Sequence, residues 1–137
     1  MAGEKLFEAR VKKWLHSVGI YAAGTPSNKM ATPQAGWFFK VWGGGFQKAG
    51  IPDLLMCVNG FFIAVELKGE TGAASGLQRL NTARINAANG IGLILYPGGF
   101  EDFKEMVKEV MKCSGHTAAL NSTKHAHSST NCVILTD

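Results

Sequence analysis

Asp53, Glu66 and Lys68 are the residues whose types and spacing point most directly to chemistry. Two apolar runs, DLLMCV at 53–58 and FFIAVELK at 61–68, flank Asn59-Gly60. Asn-Gly between such runs is the strongest short signal for a hairpin with a type I′ turn. A two-residue loop sets the register, so Val58 faces Phe61 and Asp53 falls opposite Glu66. Paired residues have Cα atoms roughly 4.5–5.5 Å apart, so the two carboxylates converge on one face. Strand alternation brings Lys68 to the same face, about 7 Å along from Glu66. The opposite face carries Phe61, Ile63, Val65 and Leu67 and is expected to belong to the core.

Two carboxylates held this close either share a proton or hold a cation. Ligation by oxygen alone selects a hard ion, Mg²⁺ or Mn²⁺. A lysine alongside can orient or help deprotonate a water, or stabilise developing negative charge. Together these parts suit phosphodiester hydrolysis. Taken singly the same residues have plainer readings: Asp53 capping a turn after Pro52, and Glu66–Lys68 as a surface ion pair. The shared face and the matched register favour the site.

The elements that must position these groups are readable from periodicity. Phe7, Val11, Trp14, Leu15 and Val18 form a helical stripe over residues 4–18, and Gly19 is the expected stop. Residues 22–36 carry two prolines among small polar residues and read as a surface loop. WFFKVW at 37–42 reads as a strand and GGG at 43–45 as its break. After the hairpin, a Gly-rich loop at 69–76 leads to Ser75 as cap of a helix over about 77–89. That helix is expected to bury Leu77, Leu80, Ala83 and Ala87 and to end at Gly90. IGLILY at 91–96 suits a buried strand, parallel to the one before the helix. A last helix over about 100–112 carries the stripe Phe103, Met106, Val107 and Val110. Residues 113–137 lose periodicity and read as a loosely ordered polar tail.

The expected fold is therefore α/β, a mixed sheet with a central hairpin flanked by helices, in one domain over 1–112. The chain has 137 residues, 46% hydrophobic and 18% charged, enough for one core and against full-length disorder. No apolar run is long enough to span a membrane, and the N-terminus lacks the apolar segment of a signal peptide. Three cysteines, Cys57, Cys113 and Cys132, at irregular spacing argue against a secreted disulfide scaffold and for the cytoplasm. Seven of the 14 basic residues but only two of the 10 acidic ones lie in residues 1–49. This one-sided excess is compatible with a phosphate backbone as partner.

Gly50-Ile51-Pro52-Asp53-Leu54-Leu55 with Glu66-Leu67-Lys68 follows the PD-(D/E)xK nuclease pattern. With downstream Gln78, an early helix bearing Glu8 and the Gly90–Tyr96 strand, the chain resembles the VRR-NUC (virus-type replication–repair nuclease) domain over about residues 4–112. Val41-Trp42-Gly43-Gly44-Gly45 resembles the short stand-alone members found in phages and prophages. The resemblance implies a restriction-endonuclease-like core and a Mg²⁺- or Mn²⁺-dependent endonuclease. It further implies a cytoplasmic homodimer acting on branched DNA such as four-way junctions, with no organic cofactor and no membrane. It assigns Asp53, Glu66 and the Leu67 carbonyl to the metal, and Lys68 to catalysis. Glu8 becomes the first-helix acid that assists the metal or a water, and Gln78 a residue touching that water or a phosphate. Read as plain residues, Glu8 is a solvated helix acid and Gln78 a polar surface residue.

Weaker candidates for nucleic-acid contact are Lys40, Lys48, Arg79 and the backbone at Gly44. Lys40 is read on one strand face with Phe38 and Trp42. Lys12 and Lys13 are read chiefly as solvated faces. Cys113, His116, His125, His127 and Cys132 show spacings that could bind zinc but sit in the polar tail. No P-loop, nucleophile elbow or dinucleotide fingerprint is present. The competing functional class is a nucleic-acid-binding module that keeps the fold without turnover. A metal-stabilised structural protein is a third.

Overall fold

A computed structural model describes residues 2–43 and 49–113 of the chain. Its elements in order are α1 (Ala2–Ser17), β1 (Ile20–Ala22), β2 (Gly36–Lys40), β3 (Leu54–Val58), β4 (Phe61–Leu67), α2 (Gly76–Ala87), β5 (Ile91–Leu95) and α3 (Phe100–Lys112). The strands form one five-stranded mixed sheet in the order β1-β2-β3-β4-β5. β1 runs parallel to β2 and β4 parallel to β5, while the β2–β3 and β3–β4 pairs are antiparallel. The protein is thus mixed α/β, with the hairpin at the centre of its sheet.

The hairpin takes the expected register, Val58 opposite Phe61 and Leu54 opposite Val65. Asn59 and Gly60 adopt φ of 52° and 81°, the two left-handed positions that a type I′ turn demands. Asn59 also ties the turn to the end of α3 by donating from its side chain to the Val110 carbonyl at 2.9 Å. Ile63, Val65 and Leu67 are wholly buried. They join Phe7, Val11 and Leu15 of α1 and Phe100, Phe103, Val107 and Val110 of α3 in one core cluster. The two outer helices therefore present the apolar stripes that their periodicity predicts.

α2 departs from expectation. It buries no residue, and Leu77 and Leu80 are 51% and 42% exposed. Its polar side lies on the sheet instead. Asn86 exchanges two hydrogen bonds with the Gly92 backbone, and Asn81 donates to the Gly50 carbonyl at 2.9 Å. Gly92 permits this approach, because a Cβ there would lie 2.8 Å from the Thr82 carbonyl oxygen. The stripe read as buried points outward, and α2 meets the sheet through Gln78, Thr82 and Asn86, over Glu66 and the Gly92 backbone. The helix also ends before Gly90, with Asn89 taking the left-handed conformation at φ 67°.

β1 is a further correction. Residues 20–22 pair with 36–38, so the loop read over 22–36 begins inside a strand. Three residues are too few to show a period. The Tyr21 hydroxyl lies 2.8 Å from Thr32 Oγ1 and pins that loop to the sheet. β2 ends at Lys40, so Trp42 follows the strand rather than continuing it. Gly44, Lys48 and the tail from 114, with its histidines and Cys132, lie outside the described residues. No helix among the described residues is long and apolar enough to cross a membrane.

Candidate active site

The end of β2, the start of β3, the end of β4 and the start of α2 converge where the hairpin register places Asp53 beside Glu66. Asp53 stands one residue before β3, after Pro52. Its Oδ2 accepts from the Leu67 amide at 2.8 Å, which fixes the carboxylate against the end of β4. Glu66 lies on the strand face away from the core and is still only 3% exposed, beneath α2. Lys68 follows β4 with its ammonium 3.5 Å from Glu66 Oε1. Its amide donates to the Leu95 carbonyl at 2.9 Å, which holds the strand end to β5. The structure therefore gathers Asp53, Glu66, Leu67 and Lys68 as the sequence places them.

Gln78 has two tasks. Ser75 and Gln78 form a capping box, the Ser75 hydroxyl accepting from the Gln78 amide at 3.2 Å and Gln78 Oε1 accepting from the Ser75 amide at 2.8 Å. The other end of the same amide, Nε2, donates to Glu66 Oε1 at 2.8 Å. Gln78 thus contacts a carboxylate directly, where a water or a phosphate had been expected. The remaining oxygen of that carboxylate, Glu66 Oε2, is buried with no hydrogen-bond partner among the described residues. Burial and then the neighbouring Asp53 charge push the Glu66 carboxyl up to about 7, against the opposing pull of Lys68. A buried, repelled and partly unsatisfied carboxylate is costly unless it is protonated or given a cation.

A second charged group adjoins the first. Lys40, at the end of β2, ion-pairs with Glu8 of α1, and its Nζ stands 3.7 Å from Asp53 Oδ1. Lys12 reaches the other Glu8 oxygen at 3.2 Å. Burial works against the Glu8 charge, but hydrogen bonds from Lys40 and Lys12 outweigh it and hold the carboxyl below its ordinary range. Glu8 therefore faces the site, as its place at the edge of the helical stripe allows, but through Lys40 rather than directly. Lys12, read as solvated, belongs to this cluster. The Glu8-Lys12 spacing of four on one helix was the available signal. Arg79 is exposed on α2, one residue past Gln78.

Among the described residues no three His, Cys, Asp or Glu side chains form a metal-binding group. Asp53 and Glu66 supply two carboxylates, and the Leu67 amide donates to Asp53 beside them. The orphaned Oε2 and the raised Glu66 carboxyl both fit a hard divalent cation, and the donor set is oxygen alone. Set against protein-family models, curated proteins and solved structures, this chain matches none of them.

Proposed function

We propose that this protein is a metal-dependent DNA endonuclease with a PD-(D/E)xK core, of the VRR-NUC kind that its motifs resemble. The observation that carries the reading is the buried Glu66 carboxylate, short of one hydrogen bond and set against Asp53, with Lys68 beside it. Asp53, Glu66 and the Leu67 carbonyl would hold Mg²⁺ or Mn²⁺. When bound, the ion supplies Lewis acidity toward a phosphodiester and lowers the pKa of a water. The chain's own residues do the positioning. The Leu67 amide fixes Asp53, Gln78 orients Glu66, and the Lys68 ammonium offers positive charge where the attacked phosphate becomes more negative. Lys40 and Lys12 neutralise Glu8, so a polyanion meets less repulsion at the mouth of the site.

The same reading makes the protein a homodimer, and the exposed sheet face supports it. Trp37, Cys57 and Phe62 align across β2, β3 and β4 on the side away from the core. Trp37 also stacks on Phe39, with ring centroids 6.3 Å apart. Trp37, Phe39 and Phe62 are 43%, 42% and 46% exposed. Together they form one exposed aromatic patch, a surface on which a second copy can pack. Two copies present two sites to two strands, which suits paired incision of a branched substrate.

The test is a panel of labelled four-way junction, flap, nicked and linear duplexes incubated with Mg²⁺, Mn²⁺ or a chelator. Metal-dependent cleavage supports the endonuclease. Salt-sensitive binding that ignores both metal and Lys68→Ala, without cleavage, supports the non-catalytic module instead.

A further inference from the structure

We infer that Trp42 is a stacking platform for an unpaired nucleobase at the mouth of the Asp53/Glu66 site, so that the substrate carries a single-stranded nucleotide next to the phosphodiester cut. This deepens the endonuclease reading and rests on it for the phosphodiester, though not for the stacking.

Trp42 is 69% exposed, an unfavourable state for the largest apolar side chain and unlike that of an ordinary core tryptophan. Its place is nonetheless determined. The amide of the preceding residue, Val41, donates to the Asp53 carbonyl at 2.7 Å, which anchors this segment to the acid at the centre of the site. The indole lines a cavity of about 250 Å³ together with Glu4, Lys5, Glu8, Lys40 and Asp53. Two ammonium groups approach the ring, Lys12 at 5.9 Å and Lys40 at 5.8 Å from its centroid. Both are also bound to Glu8, so one carboxylate sets the indole's cationic surroundings.

An exposed aromatic ring, nearby lysines and a path to a phosphate-processing centre are the parts that single-stranded nucleic acid uses. Bases stack on the ring while cations follow the backbone. In an intact duplex each base already stacks on its neighbours, so a base free to take this indole must be unpaired. A protein ligand would cover the ring equally well but has no need of the lysines or of Asp53. The chemistry therefore points to an unpaired base at a flap, a gap or the branch point of a junction.

Tryptophan fluorescence of the Lys68→Ala protein, which should not cut, provides the test. The probes are a single-stranded oligonucleotide and a blunt duplex of the same sequence, each titrated in turn. The single strand is expected to quench emission, and Trp42→Leu in the same background to abolish that quench while Trp14 and Trp37 still report. Trp42→Leu should weaken single-strand binding about tenfold more than duplex binding, the order of one lost base stack. Trp42→Phe, which keeps a π face, should recover most of the affinity. A quench that survives Trp42→Leu, or equal weakening toward both DNAs, overturns the proposal. Cleavage by the unmutated protein is scored separately: quenching without cleavage of any substrate retains the stacking site and removes the endonuclease.

Discussion

Gln78 donates to one oxygen of the Glu66 carboxylate at 2.8 Å, while the other oxygen of that carboxylate is buried with no hydrogen-bond partner among the described residues. The amide therefore orients the acid without satisfying it. Gln78 is itself held by the Ser75 cap, so the geometry of the candidate site depends on how α2 begins. Replacing Gln78 by Ala removes both the reach-back to the Ser75 amide and the bond to Glu66. The expected cost is about 1–3 kcal/mol of stability, read by denaturant unfolding, with a fall in cleavage rate at fixed Mn²⁺. Gln78→Glu separates the two roles, because Glu also completes a capping box. It should keep much of the stability in the presence of Mn²⁺ and lose it without metal, since it sets a further negative charge against Glu66. Equal melting of Gln78→Glu with and without metal would refute that division.

Glu66 gives the metal-free protein a pH dependence of definite sign. Its carboxyl is raised from 4.5 to about 7, so between those values the folded state binds more protons than the unfolded chain. Stability contributed at this site is then full below about pH 4.5 and falls as pH rises toward 7. Glu66→Gln should flatten this decline in chelator-treated protein and leave the variant more stable than wild type above pH 7. Mg²⁺ or Mn²⁺ should raise the wild-type melting temperature at pH 8 and leave Glu66→Gln nearly unmoved. The measurement is a set of thermal melts from pH 4.5 to 8.5. A wild-type profile that rises through this window relative to Glu66→Gln would contradict the assignment.

The exposed sheet face yields a prediction about assembly. Trp37→Ser with Phe62→Ser removes two of its three large aromatics without touching the core, so the fold should survive. Sedimentation equilibrium should show a dimer for the wild type and at least a tenfold weaker association for the double variant. Identical masses for the two at all concentrations would exclude this face as the interface.

Much of the candidate site was legible because one short turn determined it. Asn59-Gly60 admits one hairpin register, and that register alone places Asp53 against Glu66 and leaves Lys68 on their face. Gln78 entered through the resemblance alone, as a residue touching a water or a phosphate; its contact with Glu66 crosses from helix to strand, which local spacing does not encode. α2 was misread for a related reason. An apolar stripe locates a helix face but does not say whether the neighbouring layer is apolar. Here the helix bonds to Glu66 and to the backbone of Gly92 through Gln78 and Asn86, which puts its polar side inward. Lys40 was legible as a residue near the site, but its pairing with Glu8 depends on α1 lying across the end of β2, a tertiary relation that no local pattern encodes.

In the proposed reaction Asp53, Glu66 and Lys68 act together on a phosphodiester. The most direct measurement is the single-turnover cleavage rate of a labelled four-way junction in Mn²⁺, for wild type and Lys68→Ala side by side. Wild type should cleave and stop with chelator, and Lys68→Ala, whose fold and DNA binding persist, should be at least about a hundredfold slower. Equal rates for the two proteins, or a junction left intact by folded wild type in Mn²⁺, would contradict it.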